Sequence, residues 1–376
     1  MAKKPKVEVV PEVGSELKKR IAAAGLTGVI RLAEEMPDLR VHSVSTGFFR
    51  LDRLISRFQP GMPRGFDCEI YSKKPSDGKT TLALQIASHW QKLGFRIAIL
   101  DLERTITENY LKMLNIVMAN VVIDKKEVHA PIFVRPEKEV IPVEMLLDSI
   151  KFLSDPLGGN VDMIVVDSVG VMNTQKNLEK SSADSAQFGG IAGVLTDFMK
   201  KNIAKLPTIL WLNQAKQGMA AMPGLPAPYK TVGGGALKFW SSIRIELARI
   251  KTFKPEESEF GFETKVLVSK NKMGRDNCSI AMTYIPGEGF SALLDYLTVA
   301  KDLGIVVKSG SWYQAGDRKW QGDQQLYYAF KQDTGLYQWL CDAVNEAEIP
   351  FTVTEEPDTD TPEGAAAEAE RGAEAA

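Results

Sequence analysis

From residue 67 onward the chain alternates between two hydrophobic rhythms. Short unbroken apolar runs, CEIY (68–71), IAIL (97–100), IFV (132–134), MIVV (163–166) and TILWL (208–212), have the length and composition of strands buried on both faces. Between them, 80–93, 143–153 and 191–203 repeat apolar residues every three or four positions, the period of a helix with one inward face. Strand, helix and strand in this order predict a mainly parallel central sheet, covered by helices and joined by right-handed crossovers. After Gly235 the rhythm lengthens. IRIELARI (243–250) and TKVLVSK (264–270) alternate apolar and polar positions, which predicts antiparallel additions at one sheet edge.

Upstream of this core, Leu17, Ile21, Leu26, Val29, Ile30, Leu32 and Ala33 recur at helical spacing over 15–36, with Gly25 and Gly28 placed to split the helix. The expected organisation has four parts. A flexible start and short helical arm (1–40) precede an α/β core (41–287), a small C-terminal α/β module (288–350) and a disordered acidic tail (351–376). No internal repeat is evident.

The chain has 376 residues, 44% hydrophobic and 25% charged, with a formal charge of −2, which argues against a uniformly basic nucleic-acid binder. The total conceals an asymmetry. Residues 355–376 hold eight acids and one base, so this tail carries −7 and the remaining body +5. A mildly basic body keeps nucleic acid open as a partner, and the tail is expected to compete with it for basic groups. Cys68, Cys278 and Cys341 are too widely spaced for a disulfide framework or a zinc knuckle, which fits a reducing compartment. No apolar run approaches the roughly 18 residues of a membrane span, so the expected location is cytoplasmic, with no membrane partner.

YSKKPSDGKTT (71–81) stands between a predicted strand and a predicted helix. In a phosphate-binding loop, backbone N–H groups and the helix N-terminus cradle phosphate oxygens, a lysine adds a point charge, and the next hydroxyl holds Mg²⁺. Gly78, Lys79 and Thr80 fit that logic, with Thr81, Ser76 and Asp77 beside them. Lys73 stands where the pattern places its leading glycine. The segment alone also fits a lysine-rich surface turn. MIVVDS sets Asp167 at the end of a buried strand, where an acid can hold Mg²⁺ through water opposite Thr80 or simply cap the next loop. LDLERT leaves Glu103 positioned as a base that orients water. ILWLNQ delivers Asn213 and Gln214, able to sense a γ-phosphate or to satisfy a loop. Four such groups at one sheet edge favour an ATPase.

Two irregular segments follow neighbouring strands, at about 171–190 and 215–235, and long loops in a compact core are more often binding elements than padding. The second is rich in Gly, Ala and Pro. Backbone N–H groups of Gly233, Gly234 and Gly235, with Lys200 and Lys216, suit nucleic-acid phosphates, while Met219 and Met222 can wedge between bases.

In these motifs, their order and their spacing, the chain resembles the RecA-type recombinases, the bacterial RecA proteins and their phage relatives, over 44–321. GMPRGFDCEIYSKKPSDGKTTLALQ, VDMIVVDSVG, ILWLNQ, TVGGGALKFW and VSKNKMG carry the resemblance. It implies a RecA-like P-loop ATPase core and ATP held by Gly78, Lys79, Thr80 and Thr81, with Mg²⁺ near Thr80 and Asp167. It further implies Glu103 as catalytic base, Gln214 as γ-phosphate sensor and Tyr110 as the aromatic stacked on adenine. Lys270 and Lys272 would reach the γ-phosphate of an adjacent subunit, and Phe239 would relay that interface. The irregular segments match two DNA-binding loops, with Thr196 and Lys200 at phosphate-contacting positions. The implied function is ATP-dependent filament formation on single-stranded DNA, followed by pairing and strand exchange with a duplex. Single-strand-binding and mediator proteins are candidate partners. Lys73 and Lys74 in place of Gly-Pro, Pro223 in place of an aromatic and Lys200 in place of Arg depart from the pattern. These departures bear on nucleotide affinity and point to a phage-encoded relative in its host's cytoplasm. A hexameric helicase or motor on the same fold, and a nucleotide-binding DNA filament with little hydrolysis, are the alternatives.

Overall fold

A computed structural model describes residues 11–27, 30, 41–136, 141–178, 190–202, 206–218, 229–254, 260–347 and 354–355. The expected flexible start before residue 11, most of the acidic tail, and both Met219 and Met222 lie outside them. By internal contacts the chain divides into residues 1–42 and 43–376. The first unit contains helix α1 (Pro11–Ala23). It ends well before residue 36 because Gly25 turns left-handed at φ 68°. The Leu26 and Gly25 amides then close back on the carbonyls of Ile21 and Ala22, at 3.1 and 3.0 Å.

The second unit is built on one large sheet. Its strands are β1 (Asp67–Ser72), β2 (Ile97–Asp101), β3 (Ile132–Val134), β4 (Met163–Asp167), β5 (Thr208–Gln217), β6 (Tyr229–Thr231), β7 (Ile243–Thr252), β8 (Phe262–Asn271), β9 (Cys278–Ile285) and β10 (Gly289–Phe290). They lie in the order β10-β9-β8-β7-β1-β5-β4-β2-β3, with β6 paired to the far end of β5 and an eleventh, two-residue strand, Thr354–Glu355, paired to β9 within the tail expected to be disordered. From β7 to β3 every neighbouring pair is parallel. From β7 to β10 the pairing is antiparallel.

This order corrects one expectation. The first of the two alternating strands, β7, does not begin the antiparallel edge but runs parallel to β1 inside the sheet. Its first five residues are all buried and only the later half is open to solvent. A second correction concerns IFV. It is a strand, yet Ile132 is exposed, because β3 is the last strand and has only β2 beside it.

The unbroken apolar runs have a simple cause. Alternate residues of each inner strand enter cores on opposite faces of the sheet. Cys68, Ile70, Met163, Val165, Leu210 and Leu212 pack with Leu82, Ile86 and Trp90 of helix α2 (Lys79–Lys92) on one face. Ile164, Val166, Ile209 and Trp211 pack on the other with Leu146 and Ile150 of α3 (Val143–Ser154), and with Leu195 and Met199 of α4 (Gly190–Asn202). Each such side chain taken out of water contributes about 1.5–3 kcal/mol.

Beyond the sheet, α5 (Ala292–Asp302), α6 (Gly322–Gln332) and α7 (Thr334–Glu346) enclose a third cluster with a three-stranded sheet. Phe49, from the helix Phe49–Ile55, belongs to this cluster, and Arg50 Nε pairs with the buried Asp295 carboxylate at 2.6 Å. No helix among the described residues is long and apolar enough to cross a membrane.

Candidate functional site

Strand β1 ends at Ser72, and after a six-residue turn the chain enters α2 at Lys79. Gly78 stands at the junction with φ 97°, and a Cβ there would lie 2.6 Å from the ring of Phe290. Only glycine satisfies both conditions. Gly78→Ala is therefore expected to cost about 1–3 kcal/mol of stability and to weaken nucleotide binding. Thermal melts with and without ATP measure both, and a wild-type melt with a full ATP shift would contradict this.

The turn opens onto the start of a 14-residue helix whose first turn holds no acid, so its free N–H groups and positive dipole end face the loop. Lys79 Nζ donates to Ser72 Oγ at 2.7 Å, and that hydroxyl donates to the Lys74 carbonyl at 2.6 Å. Burial lowers the Lys79 pKa, opposed by the carboxylates of Asp77, Asp167 and Glu103. Such a desolvated ammonium gains from a polyanion. Thr80 Oγ1 donates to Asp167 Oδ2 at 2.8 Å. Burial pushes the Asp167 pKa up to about 6, although the Thr80 hydrogen bond acts against it. A buried carboxylate touching a hydroxyl at the foot of the loop is a fitting hard-cation donor pair.

Parallel pairing gathers the remaining groups at the same edge. Asp101 and Asp167 are register partners, so Glu103, two residues past Asp101, emerges beside β4 and accepts a hydrogen bond from Ser168 Oγ. Ser72 and Gln214 are likewise partners, which puts Gln214 next to the beginning of the loop. Tyr110 shares a 2.7 Å hydrogen bond with Thr81 Oγ1, on the α2 side. Ser76 takes φ 62°, Asp77 is buried and raised in pKa by that burial, and Arg249 donates to the Ser76 carbonyl.

The other named residues lie elsewhere. Lys270 pairs with Arg244, which pairs with Glu69, three residues before the end of β1. Lys270 thus lies toward the opposite edge of the sheet, about 10 Å of strand from Ser72. Its ammonium donates to the carbonyls of Lys238 and Phe239, at 2.7 and 2.8 Å. Lys272 lines a cavity of about 710 Å³ with Thr196, Lys200, Gly235 and Phe239. Phe239 is 74% exposed beside it. Gly233 and Gly234 precede the short helix Ala236–Trp240 that carries Phe239, both with positive φ, and a Cβ on Gly234 would come within 2.9 Å of Ala192. The second irregular segment begins later than expected. Residues 215–217 continue β5 and pair with β6, so Lys216 stands directly opposite Lys230, both exposed.

Asn213, read from sequence as a γ-phosphate sensor or a loop-satisfying amide, is buried and donates to Glu69 Oε1 at 2.8 Å and to the Val232 carbonyl at 2.9 Å. Glu69 in turn accepts from Arg244 Nε at 2.6 Å. Losing one partner of such a buried pair costs about 3–5 kcal/mol. Ser72, Arg249 and Phe290 also shape the loop. No local motif marks them, since each reaches it from a distant strand or through a turn.

The comparisons with known proteins agree with this geometry. The family model described as the RecA N-terminal domain matches residues 13–291. Protein RecA of Chlorobium limicola is 32% identical over 331 residues, 86% of this chain and 87% of that protein. Protein RecA of Aquifex aeolicus is 31% identical, covering 85% of this chain and 88% of its own. Protein RecA of Nitratidesulfovibrio vulgaris, strain Miyazaki F, is 30% identical over 89% of this chain and 90% of its own. With a shared core, a shared length and this phosphate-loop edge, the chain belongs to the RecA family of DNA-dependent ATPases that act in recombination and repair.

Proposed function

We propose that this protein binds ATP with Mg²⁺ at the carboxyl edge of its parallel strands, polymerises on single-stranded DNA and exchanges strands with a homologous duplex. The single observation that carries the reading is the meeting of Lys79, the Thr80–Asp167 pair and Glu103 at one edge, drawn from the start of α2, the end of β4 and the turn after β2. In this reading the helix N-terminus, the loop amides of Ser76, Asp77 and Gly78, and Lys79 hold the phosphates. Thr80 and Asp167 hold Mg²⁺, which supplies charge neutralisation between phosphate oxygens. Glu103 orients the attacking water, Gln214 senses the γ-phosphate, and Tyr110 packs on the base.

The DNA surface is proposed to include Thr196, Lys200, Lys216 and Gly233 to Gly235. Like charges directly opposite on paired strands are unfavourable, so Lys216 and Lys230 make a stem that a phosphate backbone stabilises. Met219 and Met222 are proposed to extend this surface. Single-strand-binding and mediator proteins would act on the same filament, in the cytoplasm. Electron microscopy with ATP and single-stranded DNA tests the whole: open helical filaments support it, and closed rings or isolated protomers overturn it.

Lys270 and Lys272, toward the other edge of the sheet, are proposed to meet the nucleotide of an adjacent subunit. Burial, helped by Lys272 and Arg244, pushes the Lys270 pKa down to about 8. The sign follows directly. The ammonium is charged below that pH and lost above it, so DNA-stimulated kcat/KM for ATP is expected to fall as pH rises through about 8. Lys270→Arg should move that limb to higher pH. An identical profile for both proteins would remove Lys270 from the mechanism.

A further inference from the structure

The end of β1 and the stem of the second irregular segment meet on one strand. β1 pairs with β5 up to Ser72 and Gln214. From the next residue, Ala215, β5 pairs with β6, through Thr231 and Lys230 to Tyr229. Val232 N–H donates to the Gln214 carbonyl at 3.1 Å. β6 therefore joins β5 one residue beyond its last pair with β1, where the phosphate loop begins.

Lys73 is the first residue beyond β1, and its side chain lies between β7 and β6. Its ammonium lies 3.2 Å from Glu246 Oε1 on β7 and 5.3 Å from the centre of the Tyr229 ring on β6. The two contacts differ in kind. Glu246 is buried and anchored in the sheet, whereas Tyr229 is 45% exposed on a short strand. On the other side, Lys73 is bonded directly to Ser72, whose hydroxyl accepts from Lys79 and donates to Lys74. Tyr229 is thus linked to Lys79 through Lys73 and Ser72. The family pattern has glycine at this position, and a glycine has no ammonium to place on a ring face.

We infer that Lys73 is a positioning residue that couples the stem of the DNA-binding segment to the phosphate loop. Single-stranded DNA bound to the segment holds Tyr229 against the Lys73 ammonium, which sets the position of Ser72 and with it the position of Lys79. The inference rests on the proposed DNA-binding role of that segment. The coupling belongs to this chain's own loop and acts beside whatever Gln214 contributes.

Its test is ATP hydrolysis by the full chain with and without poly-dT, beside anisotropy of a labelled oligo-dT with a non-hydrolysable ATP analogue. Tyr229→Leu is expected to leave the DNA-free rate within about two-fold of wild type, and oligo-dT affinity likewise, while cutting stimulation by DNA about five-fold. Tyr229→Phe keeps the ring face and should stimulate normally. Lys73→Met should lose stimulation as Tyr229→Leu does, Lys73→Arg should restore it, and the double variant should lose no more than either single one. Full stimulation of Tyr229→Leu overturns the coupling, as do losses that multiply in the double variant. A loss of stimulation matched by an equal loss of oligo-dT affinity also overturns it, because Tyr229 would then be only a DNA contact. A wild-type protein indifferent to DNA removes the functional reading itself, which separates the two failures.

Discussion

Replacing Lys79 by alanine is expected to lower ATP hydrolysis by about 10²–10³-fold, the usual cost of deleting one preorganised charge from the group that stabilises a transferring phosphoryl. The ammonium sits among Ser72, Asp77, Asp167 and Glu103, three of which are acids. Without it, the edge that must receive a triphosphate loses the ammonium set against those three acids. ATP affinity should fall with turnover, and with it the ATP-dependent gain in single-stranded DNA affinity. The measurement is phosphate release at saturating DNA, beside DNA affinity with and without ATP. Lys79→Arg retains charge but needs more room than the 2.7 Å contact to Ser72 allows, so it should rescue little. An alanine variant hydrolysing ATP within a few-fold of wild type would place the nucleotide elsewhere.

Exchanging Glu103 for glutamine is expected to separate binding from turnover. The carboxylate lies at the solvent-facing end of the same edge, accepting from Ser168 and bonded to neither Lys79 nor Thr80 in the described contacts. A neutral amide of the same size keeps the shape but cannot take a proton, so turnover should drop by about 10²–10⁴-fold. Nucleotide affinity should stay near wild type. The consequence for assembly is opposite to that of Lys79→Ala. Unhydrolysed ATP keeps its contacts to the subunits, so filaments should form and persist, visible as slower loss of a labelled oligonucleotide after dilution. If Glu103→Gln reduces binding and turnover alike, the residue holds nucleotide or metal and is not the base.

Much of this was legible in the chain. The inner strands announce themselves as short apolar runs because helices cover both faces, and the GKT tripeptide after such a run, together with the polar strand ends, points to a phosphate loop. Asp167, Glu103 and Gln214 were legible for a related reason. In a parallel sheet, a polar residue ending a buried strand must come out at the same edge as its neighbours.

Other assignments were not legible. Arg244 and Glu246 read as the solvent-facing half of an alternating strand, yet both are buried, because β7 lies beside β1 and their charges are met by Glu69 and Lys73. Asn213 reads as either a sensor or a loop-satisfying amide, and it donates to Glu69 in that same network. Arg249 looks like any surface charge and instead holds the phosphate loop at the Ser76 carbonyl. In each case the deciding contact comes from a residue more than 100 positions away.

The sequence by itself determined the class of fold, the phosphate loop and the strand ends that face it, because period and strand-end polarity are local properties. Only the tertiary structure decided which charges are buried, which edge holds Lys270, and that Lys73 lies between Glu246 of β7 and Tyr229 of β6. Those depend on which strand lies beside which. Neighbourhood in a sheet is set by crossovers that join distant segments, and no window of sequence contains both partners.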